Sequence, residues 1–189
     1  MACSSSSKAA LRLQFKRQRL SAQEQVGAAI VQSALEHLPQ AAAATGHIGI
    51  YWPLPGETDL RAVAELPPLA GRLALPRISQ GTLEYLPWSP GAPLEPDDTG
   101  IPAPSGGAVL GAEQMACLLV PALALDRKGF RLGYGGGWFD RLRAAPCWRA
   151  VPALAVVPCA CLVEQLPRDP WDVPFSGWLN EEGLHWITP

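Results

Sequence analysis

Residues 117–143 read CLLVPALALDRKGFRLGYGGGWFDRLR. The stretch opens on Cys117-Leu118-Leu119-Val120, a short apolar run that fits a strand buried on both faces. Asp126, Arg127 and Lys128 mark a loop, and Gly129 a turn. Then comes Arg131-Leu132-Gly133-Tyr134-Gly135-Gly136-Gly137, after which Trp138-Phe139-Asp140-Arg141-Leu142 begins a helix that Pro146 must end. Strand, glycine loop and helix in that order is how α/β proteins bring an anion to unpaired backbone N–H groups and a helix dipole. Glycine lets the backbone approach a phosphate closely and take positive φ without a steric penalty.

The remaining composition bounds what this stretch can serve. At 189 residues and 20.2 kDa the chain, 1–189, is one domain, long enough to bury a core. A hydrophobic content of 48% excludes the disordered and fibrous classes. The net charge of −2 supplies no global field for nucleic acid or for a membrane surface, so an anion site must be local. No apolar run reaches the length of a membrane span. Five cysteines, at positions 3, 117, 147, 159 and 161, leave an odd one and show no disulfide framework. Cys159-Ala-Cys161 is too tight for the usual zinc spacing, so the thiols read as small hydrophobes in a reducing cytoplasm.

Along the chain, Lys8, Arg12, Lys16 and Arg19 share one stripe of a predicted helix, edged by Leu11 and Phe15. Two readings stand: a solvated face, or a site where Lys8 and Arg12 meet phosphates opposite the glycine loop. The acid-free start, MACSSSSKAALRLQFKRQR, also mimics a transit peptide. Ser21-Ala22-Gln23-Glu24 is a capping-box signature and predicts a second helix to about Leu38, so that helices fill 8–38. Its stripe is Val26, Ala29, Ile30, Ser33, Ala34 and His37, with His37 as a C-terminal dipole partner. Ala41 to Ala44 reads as a connector.

Strands are predicted at His47–Trp52, at Arg72–Leu75 ended by Pro76, at Thr82–Leu86, and at Ala150–Val157. Between Pro87 and Gly111 the chain reads as an irregular covering loop. Asp169 to Pro174 is a polar turn. Interleaved strands and helices predict a three-layer α/β/α domain with a mainly parallel central sheet. Ligands in such sheets bind beyond the carboxyl ends of strands. That makes Trp52 a candidate flat surface and Glu57 a candidate acceptor for ring N–H groups. A core aromatic and a helix N-terminal charge are the plainer readings of these two residues.

Two common phosphate motifs fail on direct reading. A Walker loop would need Lys and then Ser or Thr after its last glycine, where Trp138 stands. A Rossmann fingerprint would need glycine at 138 or 140, occupied by Trp138 and Asp140. The glycines alone fit a flexible turn equally well. Arg131, two residues ahead of them, can neutralise phosphate charge bidentately. Asp140, in the first helical turn, can serve as an N-terminal carboxylate or a Mg²⁺ ligand, with Asp172 as the second candidate.

With those residues in hand, the chain resembles the 5-formyltetrahydrofolate cyclo-ligase family, from about Lys8 to Trp178. The specific part is Val120-Pro-Ala-Leu-Ala-Leu-Asp126 followed by Gly129-Phe-Arg131-Leu-Gly133-Tyr-Gly135-Gly-Gly137-Trp-Phe-Asp140-Arg141. Lys8-Ala-Ala-Leu-Arg12, the Trp52–Glu57 strand end, Gly100-Ile-Pro-Ala-Pro104 and Pro170-Trp-Asp-Val173 stand around it in the family's order.

The resemblance implies that Lys8, Ala9, Ala10, Leu11 and Arg12 bind ATP. On that reading the first residues are not a presequence. It implies a phosphate loop of Arg131, Leu132, Gly133, Tyr134, Gly135, Gly136, Gly137, Trp138 and Phe139. Folate contacts are implied for Trp52, Glu57, Tyr134, Gly135, Gly136, Gly137 and Trp138, catalytic roles for Arg131 and Tyr134, and Mg²⁺ ligands in Asp140 and Asp172. Small-molecule partners follow, 5-formyltetrahydrofolate and ATP, with neither nucleic acid nor membrane, in a cytoplasmic monomer.

The implied reaction is ATP-dependent closure to 5,10-methenyltetrahydrofolate through phosphorylation of the formyl oxygen. The chain departs from the pattern at Ala122 (glycine), Leu125 (aromatic), Trp138-Phe139 (Tyr-Tyr), Ser176 (aspartate) and Asn180-Glu181. Those departures motivate an alternative, a folate- or nucleotide-binding module without turnover. A small α/β enzyme of other activity is the third reading.

Overall fold

A computed structural model describes residues 4–41 and 45–187 of the chain. Helix α1 (Ser4–Ala41) leads to β1 (His47–Gly49), β2 (Leu73–Ser79) and β3 (Thr82–Trp88). The hairpin β4 (Leu94–Pro96) and β5 (Pro102–Pro104) precedes β6 (Met115–Pro121), β7 (Ala124–Asp126) and β8 (Arg131–Leu132). Helices α2 (Trp138–Ala144) and α3 (Pro146–Ala150) then precede β9 (Ala153–Val156), β10 (Leu162–Val163) and the hairpin β11 (Gly177–Asn180) and β12 (Gly183–Trp186). Cys3 and residues 42–44 of the predicted connector lie outside the described residues. The four described cysteines are free thiols.

Seven strands form the main sheet in the order β12-β11-β9-β6-β1-β2-β3. The inner pairs are parallel, and the two edge strands, β3 and β12, are antiparallel to their neighbours. Alternation along β6 sends Leu118 and Val120 to one core and Cys117 and Leu119 to the other. Phe139, Leu142 and Trp148 from α2 and α3 pack on the first face, and Ile30, Ala34 and Leu38 of α1 on the second. Helices thus cover both faces, as a mainly parallel sheet requires. Each large aliphatic side chain so buried contributes about 1.5–3 kcal/mol. Among the described residues no helix is long and apolar enough to cross a membrane.

Several expected boundaries move. The two predicted N-terminal helices are one 38-residue helix. Neither glycine nor proline stands between Lys8 and Val26, so each residue added gains a backbone hydrogen bond that a cap at Ser21 would forgo. On α1, Ile30, Ser33 and Ala34 are buried as expected, while Ala29 is exposed. His37 Nδ1 donates to the Ser33 carbonyl at 2.9 Å within the same helix.

Pro76 does not end β2, which runs on to Ser79. The N–H groups of Ile48 and Ile50 bond the carbonyls of Arg72 and Ala74, so even-numbered residues of β2 face β1. By residue 76 that neighbour has ended, and a missing donor costs nothing there. The 87–111 segment is partly regular, because β4 and β5 form a hairpin within it. In the predicted strand 150–157, residues up to Ala150 complete α3 and the strand starts at Ala153.

Candidate active site

The carboxyl ends of β1 and β6, the glycine loop and the first half of α1 surround a cleft of about 420 Å³. That volume lies in the usual range for small-molecule sites. Lys8, Arg12, Trp52, Glu57 and Asp172 all line it, together with the whole run Arg131–Asp140. Ala9 and Ala10 point to solvent instead, and Leu11 packs against the core. A helix places only every third or fourth residue on one face, so one turn cannot give five contacts. The face turned inward is Lys8, Arg12, Phe15 and Arg19, whereas Lys16 is exposed.

Arg12 Nε donates to the Gly133 carbonyl at 3.0 Å, tying the long helix to the glycine loop. Gly135 takes φ of 107°, and a Cβ there would lie 3.6 Å from the Arg12 guanidinium. At Gly133 a Cβ would overlap the Arg131 guanidinium. Glycine at these positions therefore leaves room for two cations and bends the loop around them. The helix that follows is only seven residues long, so its dipole is short. Positive charge in the cleft comes mainly from arginine and lysine.

Arg131 lies between the rings of Phe139 and Phe175, at 5.3 and 5.4 Å from their centroids. Its Nη2 stands 3.4 Å from Asp140 Oδ1. Burial lowers its pKa below the ordinary value, while Asp140 and Asp172 oppose the shift. It remains a cation at neutral pH. Lys8 Nζ is held 2.6 Å from Asp169 Oδ2 and 2.7 Å from Asp172 Oδ2. Burial works against the ammonium form, and hydrogen bonds to these two carboxylates outweigh it, raising the pKa.

At the other end of the cleft, Tyr134 Oη donates to Glu57 Oε1 at 2.6 Å, and the Leu54 N–H donates to Oε2 at 2.8 Å. Burial, and next the Glu57 charge, push the Tyr134 hydroxyl well above its usual range, so it is a neutral donor. Trp52 is half-buried and carries the Arg61 guanidinium over its ring at 4.2 Å. Trp138 holds Arg141 in the same way at 4.4 Å.

Sequence reasoning passed over Asp169 as a site residue. Its only signal was its place three residues before Asp172 in the polar turn. Thr99 and Ile101, from the turn between β4 and β5, also line the cleft. The departures at the C-terminal side serve the scaffold. Ser176 Oγ accepts from the Ala153 N–H, Asn180 Oδ1 from the Glu182 N–H, and Glu181 Oε2 from the Cys159 N–H.

The sequence profile of the 5-formyltetrahydrofolate cyclo-ligase family matches residues 4–179. The chain belongs to that family. It is 30% identical over 161 residues to the 5-formyltetrahydrofolate cyclo-ligase of Haemophilus influenzae, across 80% of this chain and 83% of that one. With the cyclo-ligase of Escherichia coli K12 it shares 32% identity over 134 residues, 67% of this chain and 73% of the relative.

Among solved structures, Aquifex aeolicus 5,10-methenyltetrahydrofolate synthetase superposes with a TM-score of 0.74 at 25% identity. That superposition covers 96% of this chain and 93% of the other. A 5,10-methenyltetrahydrofolate synthetase from Mycoplasma pneumoniae shares the fold, with a TM-score of 0.68 at 21% identity over 92% of this chain and 98% of its own. The α/β fold is therefore the cyclo-ligase fold, and the chain is an enzyme of that family.

Proposed function

We propose that this chain closes 5-formyltetrahydrofolate to 5,10-methenyltetrahydrofolate, converting ATP to ADP and phosphate. The observation that carries the reading is one cleft shared by a cationic glycine loop and the Trp52–Glu57 strand end. ATP phosphates lie along the loop, met by Arg131, Arg12, Lys8 and backbone N–H groups. The pterin lies against Trp52 and Trp138, with Glu57 accepting from its N–H groups and Tyr134 donating beside it.

The formyl oxygen attacks the γ-phosphorus as the bond to ADP breaks, leaving an iminium phosphate. Nitrogen N10 then adds to that carbon, loses its proton, and the carbon–oxygen bond to phosphate breaks. Such a path asks the protein for alignment and charge neutralisation more than for a nucleophile. Arg131 is aimed by its aromatic flanks and Asp140, and offers two parallel N–H donors to phosphoryl oxygens. Arg12 and Lys8 add charge from the opposite wall, while Trp52 and Trp138 hold the pterin plane and exclude water.

The donor set also fits a magnesium ion. Among the described residues no group of three or more His, Cys, Asp or Glu is arranged for a metal. Asp140 and Asp172 nevertheless offer hard oxygens on the same cleft. Asp140 is 30% exposed and only loosely held by Arg131, and both hydrogen bonds to Asp172 fall on Oδ2. Mg²⁺ commonly takes one or two carboxylates and completes its shell from phosphates and water. When bound by Asp140 and Asp172 it would neutralise phosphate charge. ADP release measured with Mg-ATP and varied 5-formyltetrahydrofolate tests the reading. Folate-dependent ADP is expected; tight folate binding without ADP would favour the binding module instead.

A further inference from the structure

The inward face of α1 carries one cation that the reaction above does not use. Arg19 is buried to 3% exposure behind the wall of the cleft. Its Nη1 lies 3.5 Å from Glu57 Oε1, and the Glu57 side chain is only 1% exposed. Its guanidinium carbon also stands 5.2 Å from the centroid of the Tyr134 ring. Arg19 thus touches Glu57 and Tyr134, the two polar residues assigned to the pterin, which themselves meet at 2.6 Å. The Arg19 Nε is buried with no hydrogen-bond partner, so the guanidinium's interactions run through its Nη groups toward Glu57 and Tyr134.

A carboxylate this deeply buried needs a nearby positive charge to offset its lost solvation. A Glu57 left without that partner would turn away from the place where it accepts pterin N–H groups. The groups facing Glu57 are Arg19 from α1, Tyr134 from the glycine loop and Tyr51 beyond β1, with Cys161 near Arg19. Of these, only Arg19 is cationic. We propose that Arg19 is a positioning residue for folate, the buried counter-charge that holds Glu57 in place and aimed into the cleft. The inference rests on the reading that Glu57 receives the pterin.

Arg19→Met, Arg19→Lys, Glu57→Gln and the double variant Arg19→Met/Glu57→Gln test it in the full chain, each checked for folding by circular dichroism. Folate KM should rise roughly a hundredfold in Arg19→Met, the scale of stranding a buried charge, with little change in the KM for ATP. Arg19→Lys should restore most of the folate affinity. The double variant, which leaves no stranded carboxylate and so protects folding, should match Glu57→Gln alone. Folate binding followed by tryptophan fluorescence, without ATP, gives the same comparison independently of turnover. A wild type that binds folate without turnover sinks the cyclo-ligase reading yet leaves the Arg19 comparison intact. A folded Arg19→Met with unchanged folate affinity overturns the inference. So does an equal loss for folate and ATP, or a double variant worse than Glu57→Gln.

Discussion

Lys8 on the first helix and Asp172 on the loop before β11 meet at 2.7 Å, across 164 positions of sequence. Asp169 joins them at 2.6 Å. The bridge docks the start of α1 against the loop that carries a proposed magnesium ligand. It also means that the lysine and the carboxylate offset each other's charge.

Lys8→Met should therefore raise the KM for ATP while leaving that for folate nearly unchanged. The bridge also predicts a pH effect on stability. The ammonium pKa is raised in the folded chain above its ordinary value of 10.5. Its contribution is thus complete below that value and is lost as pH climbs through the folded pKa. Thermal melts should show wild type more stable than Lys8→Met at neutral pH, with the gap closing above pH 10.5. A gap independent of pH would contradict the ion-pair account.

Arg131→Ala should lower kcat by about 10²–10³, the usual scale for losing one preorganised group on a developing charge. Arg131→Lys should recover little, because an ammonium cannot reproduce the paired N–H donors or fill the space between Phe139 and Phe175. Steady-state kinetics on both variants decides this; equal activity of lysine and arginine would rule out the bidentate role.

At Gly135 the backbone φ of 107° excludes an ordinary side chain. Gly135→Ala should cost about 1–3 kcal/mol if the loop keeps its shape. If the loop relaxes instead, melting temperature holds and the KM for ATP rises. Either outcome, read from melts and kinetics together, supports the conformation; no change in both would refute it.

Asp140→Asn keeps the size of the side chain and removes its charge. The Mg²⁺ concentration for half-maximal rate should rise roughly tenfold or more, since even outer partners of a metal carry that weight. An unchanged magnesium dependence would remove Asp140 from the metal site.

Much of this was legible in the chain because the relevant signals are local. Leu118, Leu119 and Val120 announce a buried strand whatever surrounds them, and the glycines between Arg131 and Trp138 announce close backbone approach. The stripe from Lys8 to Arg19 was visible too. Which of its members face inward depends on where α1 lands, and the chosen face replaced Lys16 with Phe15. The unbroken helix at Ser21 and the strand through Pro76 escaped for a related reason. A capping signature is worth about a kilocalorie and tertiary context overrides it, while Pro76 costs nothing only because its strand neighbour has already ended, which the sequence does not show. Glu57 and Tyr134 lie 77 positions apart. Spacing alone could not pair them, nor reveal Arg19 behind both.

An optical assay decides whether the chain has cyclo-ligase activity. Purified chain mixed with Mg-ATP and 5-formyltetrahydrofolate should develop the methenyl chromophore, in step with ADP and only when ATP is present. Correctly folded protein that binds both compounds and yields no chromophore would contradict it.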